Sequence, residues 1–303
     1  MFTTLLRIWM LTAVVFNAWA APTKEQMLQF LEQYNKDWAY PRVIEIAKSI
    51  NYSALDPNVI GRVDVTNTFV GSELNTEYLF GNFATLGTSN TTQLVGVPLN
   101  QTVRNLIIEG NSLSVSIVAN FNWTVEVVPL EWNVLFMFND EGKVIQYEAT
   151  LVRGSWAFAY IIPKLLPLIA AELGEDPNTD PVVLVTKRAA LDICSAHESY
   201  CTGSNAQYNS TEECMDFIMH KRPFGEVWQA GQDTGMCRYM HKGMVRYRPQ
   251  VHCVHIGPSG GDMCNQRDYI SEVHSSPFRQ PFGNPERVAS DSTTLIDQEP
   301  PYQ

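Results

Sequence analysis

The chain has 303 residues, 45% of them hydrophobic and 11% aromatic, which is enough for one or two well-packed domains. Its formal net charge is −11, and no basic run interrupts that balance. This excludes nucleic acid and anionic membrane surfaces as natural partners.

Residues 1–20 read as a secretory signal. Arg7 is their only basic side chain, Ile8 to Phe16 is the apolar core, and Ala18-Trp19-Ala20 is a small-x-small cleavage site. That run is too short to span a bilayer comfortably. Farther on, Pro167 and Glu172 spoil the stretch from Leu165 to Ala171, so no membrane span is expected after cleavage. The chain is therefore expected to be secreted, outside the cell or in the secretory-pathway lumen. Five Asn-x-Ser/Thr sequons, at Asn51, Asn90, Asn100, Asn122 and Asn209, predict a glycoprotein.

Thr23-Lys24-Glu25-Gln26 is a capping box that starts a helix with Met27, Phe30, Leu31, Tyr34 and Trp38 on one stripe. Pro41 opens a second helix that buries Ile44, Ala47 and Ile50. Val59 to Thr68 reads as a strand. Ser72 starts a third helix, with Leu74, Tyr78, Leu79 and Phe83 inward. A polar connection follows, with a short strand at Gln93–Val97 and a longer one at Thr102–Glu109.

Asn111 to Leu151 is the strongest pattern in the chain. Val115, Ile117, Ala119, Phe121, Trp123, Val125 and Val127 recur at every second position, with one dry and one wetter face. Pro129 is expected to break pairing before a strand with Trp132, Val134, Phe136 and Phe138 inward. Asn139-Asp140-Glu141-Gly142 is a hairpin turn leading into Lys143–Thr150. The order helix, helix, strand, helix, then antiparallel strands predicts α+β, with the helices on one face of a curved sheet.

Ile161–Leu173 reads as an apolar helix, and 174–180 as a domain boundary. Pro181–Ala196 is another helix. Cys194, Cys201, Cys214, Cys237, Cys253 and Cys264 then fall in one segment, with gaps of 6, 12, 22, 15 and 10 residues. An even number of cysteines in an exported chain predicts a local disulfide framework, whose connectivity stays open. A second capping box, Ser210 to Glu213, starts a short helix. Thr234–Tyr247 is a further helix, with Cys237 and His241 one turn apart. Residues 252–261 read as a turn-rich knot. Residues 275–303 lack apolar periodicity and read as a disordered tail.

With GRVDVTNTFVGSELNTEYLFGNFA and FNDEGKVIQYEAT, this element order resembles the SnoaL-like branch of the NTF2-like superfamily, in its secreted fungal members. The resemblance covers Ala21 to Trp156. It implies a cone-shaped barrel over residues 21–174 enclosing a pocket for a small hydrophobic molecule. Cofactor-free cyclase, dehydratase or isomerase chemistry of secondary, polyketide-type metabolism is also implied. No organic cofactor or metal is usual in such pockets, and the related folds often pair as homodimers. The Cys/His-rich part, residues 181–274, resembles an extension of secreted fungal proteins and would stabilise or cap the pocket.

Chemistry of that kind needs an acid or base in an apolar cavity. Residues 21–174 contain no histidine, which departs from members that use one. Asp64, inside GRVDVTN, and Glu148, beside Tyr147, are the candidate catalytic acids, with Tyr147 as their partner; the competing account has both carboxylates solvated. Glu126 points outward if Asn122 carries a glycan. Tyr34, Trp38, Trp123 and Trp132 are candidates to stack on a ligand, or else plain core residues. His197, His241, His252 and His255 match no zinc spacing, and oxidised cysteines are not ligands, so no metal is assigned. Clustering of the last three rings would reopen that question. An inward acid beside a tyrosine favours an enzyme. A pocket lined by aromatic rings, with every carboxylate outside, favours a non-catalytic secreted binding protein.

Overall fold

The structure is a computed structural model that describes residues 21–83 and 91–283; the signal stretch, Asn90 and the tail beyond 283 lie outside the described residues. α1 (Lys24–Trp38) begins as expected: Gln26 N–H donates to Thr23 Oγ1 at 3.2 Å and Thr23 N–H to Gln26 Oε1 at 2.8 Å. All five stripe residues are buried. α2 (Arg42–Ser49) buries Ala47 as expected, but Val43 and Ile46 in place of Ile44 and Ile50; Ile50 lies past the last helical turn and is left-handed, with φ 51°.

Six strands form one sheet: β1 (Leu55–Val63), β2 (Thr68–Val70), β3 (Val97–Glu109), β4 (Ser112–Trp123), β5 (Glu126–Phe138) and β6 (Val144–Val152). Their order is β2-β1-β6-β5-β4-β3. Every pair is antiparallel except β1 with β6, which is parallel. The sheet is thus mixed rather than wholly antiparallel. Register shifts in three of the pairings bend it.

Registers align the apolar face in rungs. Leu113 pairs Phe136, Phe136 pairs Tyr147, Tyr147 pairs Gly61 and Gly61 pairs Phe69. The expected break at Pro129 does not occur; the turn comes earlier, at Thr124-Val125. Pro129 lies inside β5 opposite Asn120, beyond the last β6 partner at Glu131, so its missing N–H costs no ladder bond.

α3 (Ser72–Phe80) departs most from its expected amphipathic reading. Asn75, Thr76, Glu77, Tyr78 and Phe80 are all buried. The sheet covers one side of this helix and the C-terminal part covers the other. That part comprises α4 (Gly154–Leu173), α5 (Pro181–Tyr200), α6 (Thr211–His220), α7 (Gly235–Val245), α8 (Pro249–Ile256) and α9 (Tyr269–His274). α4 starts seven residues earlier than the periodicity suggested and holds Pro163 and Pro167 in its interior. Both prolines are on its exposed side, where the freed carbonyls can reach water. By length and composition α4 could cross a membrane, which the sequence reading did not anticipate. In the fold its Ile161, Leu165 and Ile169 are fully buried. The expected knot at 252–261 is partly helical, because Pro249 occupies the first turn of α8. Buried apolar side chains from α1 through α8 form one continuous core.

Three disulfides knit the second part: Cys194–Cys214, Cys201–Cys253 and Cys237–Cys264, with no free cysteine. The capping box at α6 forms only in half. Ser210 accepts Glu213 N–H, but the Glu213 carboxylate turns to the N–H of Asn209. Residues 275–283, read as disordered, lie against the outer face of the sheet. Gln146 donates to the Gln280 carbonyl at 2.7 Å, and Arg62 sits 5.1 Å from the Phe278 ring.

A buried polar seam joins α3 to α7 and α8. Glu77 receives Arg248 at 3.2 Å and contacts His252 Nε2 at 3.1 Å. His252 Nδ1 is 3.2 Å from His255 Nδ1, and His255 Nε2 is 2.8 Å from Asp262. His241 Nδ1 donates to the Cys237 carbonyl at 2.8 Å, leaving Nε2 bare to accept the Tyr78 hydroxyl. Arg238 is fully buried, and its guanidinium donates to Asp233 and to the carbonyls of Thr234, Gly257 and Pro258.

Two outcomes are expected. Phe136→Ala removes a ring that meets Phe30 and Tyr34 edge-on, at 5.1 and 5.8 Å. It should cost about 3–5 kcal/mol, read by denaturant melts; an unchanged midpoint would show that this face is not core. The second concerns pH. Burial, helped by His255, His252 and Arg238, holds the His241 pKa well below its ordinary 6.5. The native state therefore binds fewer protons than the unfolded chain. Stability is complete above pH 6.5 and falls below it, by up to about 1.4 kcal/mol per pH unit for this group. The melting temperature should drop between pH 7 and 5, and less steeply in His241→Asn; equal slopes would contradict the assignment.

Candidate functional site

A cavity of about 120 Å³ lies between the inner face of the sheet, α1, the turn after α3 and the C-terminal part. The sheet contributes Ile117, Phe121 and Trp123 from β4, Leu130, Trp132, Val134 and Phe136 from β5, and Tyr147, Ala149 and Leu151 from β6. These are the inward positions of a period of two. Tyr34 and Trp38 enter from α1, and Asn82 and Phe83 from the turn. Val227, Ala230, Met236 and Met240 close the remaining side. The second part thus helps to wall the cavity, as well as bracing the fold.

Tyr34, Trp38, Trp123 and Trp132 all line the cavity. Trp38 is fixed by its indole N–H donating to the Leu79 carbonyl at 3.0 Å, and Trp123 by donation to the Leu94 carbonyl at 3.3 Å. Tyr147 also lines the cavity, fully buried. Its ring crosses Gly61, where an added Cβ would come within 2.3 Å of two ring carbons. Burial raises its pKa well above 10, so the hydroxyl stays protonated.

The two carboxylates expected to face inward do not line the cavity. Glu148 follows Tyr147 on one strand, so alternation puts it on the opposite face, where it pairs with Arg62. Asp64 lies between the cavity-lining Val63 and Val65 and is turned outward. Its carboxylate accepts Leu151 N–H at 3.0 Å. Partial burial raises its pKa, against the lowering effect of such backbone donors. Glu126 also faces out, held by Tyr160 at 2.8 Å and by Lys164.

Sequence reasoning missed the unpaired polar atoms carried by residues of the cavity wall. Asn82 Oδ1, Gln101 Oε1, Trp132 Nε1 and the Tyr147 hydroxyl belong to lining residues and are buried without a hydrogen-bond partner. Each such orphan costs roughly 1–3 kcal/mol against a paired group. Four on one small cavity are an expense the fold does not need for its own stability. The alternation that placed Trp132 and Tyr147 inward was readable; the orphaning was not, since it depends on what fails to pack opposite them.

The three histidine rings of the seam do cluster, with centroids 5.0, 5.2 and 6.4 Å apart. Both nitrogens of His241 are turned to protein partners, as are those of His255, whereas His252 Nε2 approaches Glu77 Oε1 at 3.1 Å without hydrogen-bond geometry. Among the described residues, the one metal-like grouping is Cys237, His241 and Cys264, whose ligand atoms lie within 4.8 Å of one another. Both sulfurs are tied in a disulfide and cannot act as thiolates. His197 accepts from the backbone N–H groups of Gln207 and Tyr208, at 2.9 and 3.3 Å. The described sequon asparagines, Asn51, Asn100, Asn122 and Asn209, are all exposed.

Known proteins resemble this chain along most of its length. The BfoA N-terminal domain matches residues 32–149 and the BfoA family C-terminal domain residues 153–267. The junction falls ahead of α4. The bifonsecin B biosynthesis cluster protein A of Aspergillus brasiliensis is 35% identical over 262 residues, covering 85% of this chain and 86% of that protein. The aurasperone B biosynthesis cluster protein A of Aspergillus niger is 35% identical over 262 residues, covering 85% and 83%. Among solved structures, a SnoaL-like polyketide cyclase from Jannaschia is 13% identical, over 43% of this chain and 88% of that one, with a TM-score of 0.32. A steroid delta-isomerase from Pseudomonas aeruginosa is 14% identical, over 51% and 99%, with a TM-score of 0.32. Strand order and helix packing, not these two likenesses, define the α+β fold here. With both halves matched in sequence and relatives above 30% identity across their length, this chain belongs to the BfoA family.

Proposed function

We propose that this protein binds a small, mostly apolar molecule in the cavity and serves the making or handling of a fungal secondary metabolite. One observation carries the reading: the lining is aromatic and aliphatic, its few polar atoms are neutral, and no carboxylate, imidazole or cation is part of it. Acid–base chemistry needs a group that gains or loses a proton near neutral pH. Tyr34 and Tyr147 are the lining tyrosines beside Tyr78, and burial drives all three pKa values upward. Binding, not proton transfer, is the activity such walls support. The names of the relatives, proteins of bifonsecin B and aurasperone B biosynthesis clusters, supply the metabolic setting. The SnoaL-like resemblance of the sequence agrees with a binding pocket at this place. Three disulfides and exposed sequon asparagines support export to an oxidising compartment.

Native mass spectrometry of the protein purified from culture should show a co-purified small molecule. Added back at about 100 times its Kd, that molecule should stabilise the fold by about 2.7 kcal/mol. Ala149→Phe, which places a ring in the cavity, should abolish the thermal shift while the variant still melts cooperatively. An undiminished shift in that variant would place the binding elsewhere.

A further inference from the structure

The orphaned polar atoms of the cavity restrict what it takes. Trp132 Nε1 can only donate. Asn82 Oδ1 can only accept, because its Nδ2 already donates to the Tyr78 carbonyl at 3.1 Å. Tyr147 offers a hydroxyl, on a ring end that lies over Gly61 near the equally unpaired Asn75 Oδ1, and Gln101 an amide end. A pure hydrocarbon would leave all four unpaired. A carboxylate or an amine would bring a charge into walls that hold no counter-charge, at a prohibitive desolvation cost. The occupant must therefore be neutral and carry both hydrogen-bond donors and acceptors.

Shape narrows it further. Trp38 meets Phe121 at 5.3 Å and 85°, and Phe83 at 5.0 Å and 66°, so aromatic edges and faces are presented from several directions. Such walls suit a flat ring. At about 120 Å³ the space is slightly smaller than the ~150 Å³ cavity that admits benzene. Met236 and Met240 on the C-terminal wall are the side chains best able to give way.

From these walls we infer that the cavity recognises a neutral phenol: a single aromatic ring, or the ring end of a larger molecule, whose hydroxyl groups accept from Trp132 and Tyr147 and donate to Asn82 and Gln101. This rests on the binding reading above and names the chemical class.

The test uses the full mature chain and three probes, resorcinol, benzene and benzoate, with affinities from calorimetry or from quenching of tryptophan fluorescence. Resorcinol should bind at least as tightly as benzene, although water holds it far more strongly, and benzoate should bind least. Tyr147→Phe and Trp132→Phe should each lower the ratio of resorcinol to benzene affinity about tenfold; the ratio, taken within one variant, cancels the change in cavity size that the smaller ring at 132 brings. Benzene binding with resorcinol excluded, or both probes weakened equally by both variants, would overturn the phenol inference and leave the apolar cavity standing. Benzoate binding tightest would overturn the neutrality argument. Failure of all three to bind would remove the binding reading itself.

Discussion

Tyr147 lies where Gly61 leaves it room, and the site is arranged around that contact. β1 and β6 run side by side in parallel, and Gly61 is the residue that faces Tyr147 across the pair. A bare Cα lets the ring lie flat against the strand, beneath the cavity and beside Asn75, whose amide binds the carbonyls of Val59, Phe69 and Gly71. Any larger residue at that position would push the ring into the hollow or off the sheet. The floor of the cavity thus depends on the absence of a side chain, a constraint that no count of contacts would reveal.

The C-terminal part acts on the same space from the other side. α7 carries Met236 and Met240 to the cavity and is anchored at Cys237 by a disulfide and at Arg238 by four acceptors. It also carries His241 to Tyr78, and α8 carries His252 to Glu77, so α3 is clasped on the face that would otherwise be wet. Fold and site are therefore one unit. The two family segments meet in sequence ahead of α4, but in space they share a core and a cavity.

Much of this was legible in the chain. The stripe of α1, its capping box, the alternation through β4 and the stapled cysteine segment each rest on short-range patterns that packing merely completes. The parallel pairing of β1 with β6 was not legible, because no local signal marks a partner so far along the chain. Nor was the all-round burial of α3: Glu77 reads as a surface residue until Arg248 and His252 are placed over it. The outward position of Glu148 follows from the strand itself. Adjacent residues on a strand cannot share a face, so choosing Tyr147 for the interior already excluded its neighbour. The orphaned atoms of Trp132 and Gln101 lay beyond sequence reasoning altogether, since they are defined by empty space.

The crossover that joins β1 to the last strand has a temporal consequence. Arg62 and Glu148, which pair across it, stand 86 residues apart. As the polypeptide leaves the ribosome, β1 must wait, unmated along one flank, until the meander of β3 to β6 has been made. Its first stable neighbours are β2 and α3, which follow it directly. The β1–β6 pairing is a long-range contact of the kind that slows folding. The hollow is complete only when that pairing has formed and the C-terminal wall of Val227, Ala230, Met236 and Met240 has packed against it, so anything it is to hold must enter afterwards or be present while the pieces close.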